Sequence, residues 1–334
     1  MKIISYGKQS INNNDIDIVN KAIISNKITT GNFVKKFEKK LQNLTKAKYV
    51  ISCSSGTAAL HLAFSSINLK PGDVVIVPSI NFISTCNILR LMGANIYLSD
   101  VDPVTGQMTT EQLIDCIRKN NLKKIKAIVT MYLGGHIFKN IDFFKLKKKY
   151  NFLIVEDACH ALGSKYRYNK KKISIGSCKH ADISTFSFHP IKSITTGEGG
   201  AMTTNRSLFA KNATLFRSHG IERNKKHWNY QISSPGLNYR LSDLNCALGV
   251  SQIKRIGLFM AKRESISKKY KKAFFELKKK KIINFVSPSK DTTSSNHLFI
   301  LNIDFIKLKK TKDSFFNHML KNNIICQYHY IPIY

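Results

Sequence analysis

The stretch Ser187-Phe188-His189-Pro190-Ile191-Lys192-Ser193-Ile194-Thr195-Thr196-Gly197-Glu198-Gly199-Gly200 governs how the rest of the chain is read. Residues 182–188 alternate apolar and polar, which predicts a strand. His189-Pro190 ends it, because proline has no N–H for a central ladder. Lys192 therefore stands just past a strand end, beside hydroxyls and a glycine-rich turn. A lysine held there can form a Schiff base with a carbonyl compound. It can equally be a solvated surface charge, since the chain carries 45 lysines. A phosphate cradle and a buried acid elsewhere in the chain would separate the two readings.

Working outward, Tyr49–Ser52 reads as a strand that runs into Cys53-Ser54-Ser55-Gly56-Thr57-Ala58-Ala59-Leu60, where small residues open a helix. That arrangement gathers free N–H groups and the positive end of a helix dipole, which suits a phosphate. An ordinary hydroxyl cap accounts for the same residues. Strands are expected at 74–77, 95–99 and 127–132, with helices near 82–91, 110–119 and 143–149. Phe152–Val155 is fully apolar, as in a buried parallel strand, and ends in Glu156-Asp157. Strands alternating with helices predict an α/β domain with a mainly parallel sheet. Gly56-Thr57, Phe82, Asp157 and Lys192 all fall at strand ends, where ligands of such sheets collect.

Helical spacing also marks residues 13–26 and Phe33–Leu44 at the start of the chain. After Gly200 the pattern gives a strand at 201–204, a helix at 208–216 and a long loop over 217–240 containing Trp228. Helical spacing then covers 242–277, followed by a strand at 298–303, a helix at 310–321 and a strand at 324–330. We divide the chain into a large domain, 1–245, and a smaller C-terminal α+β domain, 246–334.

The 334 residues carry a formal charge of +34. Such a charge raises the possibility of a nucleic-acid partner. Nine arginines against 45 lysines, scattered in short runs with no basic tail, point instead to compositional drift. A positive field still attracts anionic substrates. No apolar run is long enough to span a membrane and no signal peptide opens the chain, so a cytoplasmic protein is expected. Seven scattered cysteines without a C-x-x-C, and histidines without paired spacing, argue for reduced thiols and no metal site.

Lysine, acid, aromatic ring and phosphate turn together are what pyridoxal 5′-phosphate requires. Ser55-Gly56-Thr57-Ala58-Ala59-Leu60, Glu156-Asp157-Ala158-Cys159-His160-Ala161-Leu162-Gly163, Phe186–Lys192 and Thr196–Gly200 resemble the DegT/DnrJ/StrS nucleotide-sugar aminotransferases, which share the aspartate aminotransferase-like fold (fold type I). Leu215–Ile221, Trp228-Asn229-Tyr230, Pro235–Leu241 and His329-Tyr330-Ile331-Pro332 narrow the likeness to members acting in the pseudaminic acid pathway. The resemblance runs from about Tyr6 to Tyr334.

The resemblance implies pyridoxal phosphate as cofactor, Lys192 as the catalytic Schiff-base lysine and Asp157 as partner of the pyridine nitrogen. It places Phe82 over the cofactor ring, His160 near the ring hydroxyl, and Thr57, Ala58 and Ser187 at the phosphate. Asn238 would reach the phosphate of a neighbouring subunit, making the protein a homodimer with shared sites. Tyr6, Arg240 and His329 are candidates for substrate binding. The implied substrates are a UDP-4-keto-6-deoxy-N-acetylhexosamine and L-glutamate. Sugar aminotransferases of the bacillosamine, perosamine or 4-amino-arabinose type are alternatives, as is a non-catalytic basic paralogue that binds nucleic acid. Members of the family usually run several tens of residues further, so an incomplete C-terminal domain is expected.

Overall fold

The computed structural model describes residues 3–138, 140–223, 228–289 and 291–334. The chain begins with helices α1 (Asn13–Ile23) and α2 (Asn32–Thr45). Strands and helices then alternate: β1 (Tyr49–Cys53), α3 (Gly56–Ser66), β2 (Val74–Pro78), α4 (Ser84–Leu91), β3 (Asn95–Ser99), α5 (Thr110–Lys119), β4 (Ala127–Met131), α6 (Asn140–Tyr150) and β5 (Leu153–Asp157). A hairpin, β6 (Lys165–Tyr168) and β7 (Lys171–Ser174), precedes β8 (Ile183–Ser187), β9 (Gly200–Thr204) and α7 (Ser207–Arg217).

Seven of these strands form one sheet in the order β1-β9-β8-β5-β4-β2-β3, antiparallel only where β9 meets its neighbours. Period-2 burial builds the layers around it. Val75, Val77, Val129 and Val155 pack with Leu60, Phe64 and Ala213 of α3 and α7. The intervening Ile76, Ile128 and Ile154 pack on the other side with Leu113, Ile117 and Phe143. Strands buried on both faces need apolar residues at nearly every position, which is why these runs were legible as parallel core.

Register brings the candidate site together. Asp157 of β5 lies opposite Thr185 of β8. Gly200 of β9 pairs with Ser187 on one side and Cys53 on the other. The lysine loop and the turn that opens α3 are thereby neighbours. Gly200 is required there, because a Cβ would stand 2.2 Å from the carbonyl oxygen of Ser55.

Further on come β10 (Ile221–Arg223), β11 (Tyr230–Ile232), α8 (Asp243–Lys254), α9 (Ile256–Ala273), α10 (Phe275–Lys279), β12 (Ile283–Phe285), β13 (Thr292–Thr293), β14 (Leu301–Ile303) and α11 (Lys312–Lys321). Helix α8 runs through position 245 and lies against α1 and α2. Asp243 in its first turn accepts from the N–H groups of Gly31 and Phe33 at 2.6 and 2.8 Å. Gly249 of α8 meets Phe37 of α2 so closely that a Cβ would stand 2.4 Å from the ring. Overpacking at such a contact costs about 1–3 kcal/mol. Gly249→Val should therefore lower the urea midpoint by that amount; an unchanged midpoint would show that α2 yields freely.

Three sequence expectations are corrected. The stretch 217–240 is not a plain loop, because β10 and β11 pair within it; residues 224–227 lie outside the described residues. Residues 164–181, unassigned by pattern, hold the β6–β7 hairpin, whose free edge takes β13. Residues 324–330 form no strand. Only Ile324 bridges, to Ile4, since among the described residues no strand lies beside the rest, and a period-2 pattern without a partner makes no ladder.

Candidate active site

Four connections converge at the carboxyl end of the sheet. After β8 the chain turns at His189, where Lys192 N–H donates to the His189 carbonyl at 2.9 Å. Phe188 N–H donates to Gly199 O, and Thr196 N–H returns to Phe188 O. Asn245 of α8 clamps the far side through Thr196 O at 2.6 Å. The loop that carries Lys192 is thus fixed by its own hydroxyls and glycines, not by neighbouring side chains alone. Burial lowers the pKa of the Lys192 amine, against the opposing pull of Cys159 and Asp157.

Asp157, 5% exposed, ends β5. Its Oδ1 accepts from Cys159 N–H at 3.2 Å and its Oδ2 from Thr85 Oγ1 at 3.5 Å. Asn81 Nδ2 donates to that same Thr85 oxygen at 3.2 Å, which leaves the threonine hydrogen for the carboxylate. The Cys159 thiol, wedged between Asp157 and Lys192, is held well above its usual pKa by burial and by the Asp157 charge.

The turn before α3 is built for close approach. Ser55 caps the helix, its Oγ accepting from Ala58 N–H at 3.0 Å, so Ala58's amide is already used. A Cβ on Gly56 would stand 2.8 Å from Ser187 Cβ; only glycine lets the helix start lie on Ser187. Thr57 Oγ1 meets Ser84 Oγ at 2.9 Å, tying α3 to α4. Phe82, between β2 and α4, is 52% exposed.

His160 is fully enclosed by the chain's C-terminal part. Gly134 N–H donates to its Nδ1 at 3.4 Å. A backbone N–H can only donate, so the imidazole proton sits on Nε2, which faces Tyr330 Oη at 3.0 Å. The hydroxyl hydrogen of Tyr330 is then free for another acceptor. Burial, followed by the charges of Lys192, His297 and His329, keeps His160 neutral, with its pKa well below the usual histidine value. Tyr330 also sets its ring 5.8 Å from that of Phe82, and burial raises its phenol pKa. Beside it, Tyr6 Oη and His329 Nε2 bond at 2.7 Å, joining the two ends of the chain. Burial pushes the Tyr6 phenol up to about 12.

The structure gathers Lys192, Asp157, His160, Ser187, Thr57 and Phe82, with Tyr6 and His329 at the rim. It does not bring Asn238 or Arg240 into contact with them. Asn238 is exposed and bridges Ser218. Thr85, Cys159, Tyr330 and His297 join the site although the sequence reading assigned them no role. Thr85 lies one turn after Phe82, and Tyr330 adjoins His329, so those two had a local signal; His297 had none.

The same enclosure makes acid destabilising. His136 is 3% exposed with Nδ1 unbonded, and burial, reinforced by Lys271, lowers its pKa to about 4. A histidine depressed in the folded state stabilises above its unfolded value, near 6.5, and that contribution is lost as pH falls toward 4. Its size is about 3 kcal/mol at most. Melting temperature should therefore drop between pH 7 and 4, and His136→Phe should flatten the drop; an equal slope in both proteins would refute this assignment.

The described residues contain no helix long and apolar enough to cross a membrane. The profile of the DegT/DnrJ/EryC1/StrS aminotransferase family matches residues 9–334. A UDP-4-amino-4,6-dideoxy-N-acetyl-β-L-altrosamine transaminase of Campylobacter jejuni is 35% identical over 332 residues, 99% of this chain and 85% of the relative. A solved Helicobacter pylori aminotransferase involved in pseudaminic acid biosynthesis is 30% identical with a TM-score of 0.89, covering 100% of this chain and 86% of that one. A Streptococcus pneumoniae protein described as a sugar aminotransferase, solved in its pyridoxal-phosphate form, is 26% identical with a TM-score of 0.88 over 99% and 86% of the two chains. Along nearly its whole length, then, this chain belongs to the DegT/DnrJ/EryC1/StrS aminotransferases, pyridoxal-phosphate-dependent enzymes of the type I fold that act on a keto nucleotide sugar and an amino donor.

Proposed function

We propose that this enzyme moves the amino group of L-glutamate to C4 of a UDP-4-keto-6-deoxy-N-acetylhexosamine in pseudaminic acid biosynthesis. The observation that carries the reading is a buried lysine at the end of β8 with a buried carboxylate at the end of the adjacent β5. The choice of sugar is supported by the printed activity of the 35% identical relative.

The residues fit pyridoxal phosphate on one structural ground. The start of α3 is pressed against Ser187 through a glycine that no side chain could replace, leaving early helix N–H groups to face an anion. Gly56, Thr57 and Ser187 would hold the phosphate. Bound there, the cofactor supplies an electron sink for the carbon that loses its proton. Asp157, oriented by Cys159 N–H and Thr85, would hold a proton on the pyridine nitrogen. Phe82 and Tyr330 cover the site and exclude water. Lys192, its amine partly neutral through burial, takes a proton from the donor carbon and returns it one position along. Asn238, exposed on this protomer, is placed to serve a second copy in a homodimer. The charge of +34 draws in a diphosphate substrate, and unpaired thiols suit the cytoplasm.

The test is to supply glutamate with UDP-4-keto-6-deoxy-N-acetylhexosamines of both C5 configurations and with a GDP-4-keto-6-deoxyhexose. A new UDP-4-amino sugar with matching 2-oxoglutarate is expected. Amination of the GDP sugar alone would replace this reading with a perosamine-type one.

A further inference from the structure

Apart from the groups assigned above, one cluster of buried nitrogens near Lys192 has nothing to bond. Arg263, on α9, donates through Nη2 to the carbonyl oxygen of Lys192 at 3.0 Å. Its Nη1 is buried without a partner. His297 has both ring nitrogens buried and unbonded, although its position is fixed. Its N–H donates to Gly134 O at 2.9 Å and its ring centroid lies 4.4 Å from that of His160. The charges of Lys192, Arg263 and His329 all bear on it.

Buried polar atoms are nearly always bonded, and each exception calls for a cause. A buried guanidinium whose only partner is a main-chain carbonyl is also an unpaired cation, which a protein interior tolerates poorly. Water would satisfy the hydrogen bonds but would leave the charge unpaired. A carboxylate satisfies both, because it only accepts and is itself charged.

We propose that Arg263 and His297 form the subsite for a carboxylate of the amino donor. The inference rests on the amino-transfer reading of Lys192. The start of α3 already provides for a phosphate, so a second anion site serves the other anionic reactant. Arg263 is tethered to the backbone of Lys192, which fixes the donor's carboxylate relative to the reacting amine. The subsite selects amino acids over simple amines, since an amine would leave the guanidinium unpaired.

The test uses the full chain. The cofactor-free protein is melted with succinate and, separately, with inorganic phosphate at equal ionic strength. Succinate should raise the melting temperature of wild type, and Arg263→Met should remove at least half of that rise while keeping the response to phosphate. In the loaded enzyme, Arg263→Met should raise KM for glutamate about tenfold or more and leave KM for the nucleotide sugar within about twofold. Should that variant fail to fold, His297→Asn supplies the same comparison. A phosphate response that disappears together with the succinate response overturns the carboxylate assignment. So do an unchanged succinate shift and unchanged glutamate KM in both variants. Arg263-dependent succinate binding in a protein that aminates no keto sugar would leave the subsite standing and overturn the acceptor reading instead.

Discussion

Lys192→Ala should fold and still bind pyridoxal phosphate, yet transfer amino groups about 10⁴-fold more slowly. The loop around it is fixed by backbone bonds from Phe188, Thr196 and Gly199, none of which needs the lysine side chain. What disappears is the only amine placed both to bond the cofactor and to carry its proton. Lys192→Arg should be as inactive, because a guanidinium stays protonated at every working pH. Borohydride reduction of the loaded protein should fix the cofactor to the peptide containing Lys192 in wild type and to none in either variant. Labelling of a different lysine in wild type would sink the assignment.

Why this site was readable is a matter of where its residues sit. Lys192, Asp157, Gly56 and Phe82 each follow a short apolar run closed by proline, glycine or a hydroxyl, so each announces its strand end locally. The parallel sheet then places those ends side by side without further information. The remaining parts obey no local rule. His297 and Arg263 reach Lys192 from elements far along the chain, and a lone histidine or helix arginine looks the same on paper whether buried or solvated. The hairpin at 165–174 was hidden for a related reason: its sequence is rich in lysine and tyrosine, and it is ordered by pairing and by the fit of Tyr166 to His180 at 2.6 Å. The stretch 324–330 shows the converse, a period-2 pattern without a neighbouring strand. Its Tyr330 instead points into the site, bonded to His160.

Asp157→Asn should keep the cofactor and lose most of the rate, about 10²–10⁴-fold, equivalent to about 3–5 kcal/mol of barrier. Asparagine has the same shape, and its carbonyl oxygen can still accept from Cys159 N–H at the 3.2 Å seen for aspartate. It carries no charge, so it cannot hold a proton on a pyridine nitrogen. The same substitution removes a charge that raises the pKa of Lys192. The Lys192 amine should therefore titrate lower in the variant, and the Cys159 thiol, freed of a neighbouring anion, should titrate lower too. Those two shifts are what a merely structural role for Asp157 would not produce. The rate is measured by single-turnover reaction of the loaded enzyme with glutamate, and the thiol shift by the pH dependence of Cys159 alkylation. A variant with the wild-type rate, or a slow variant whose thiol titrates unchanged, would remove Asp157 from the chemistry and leave it as a cap on the end of β5.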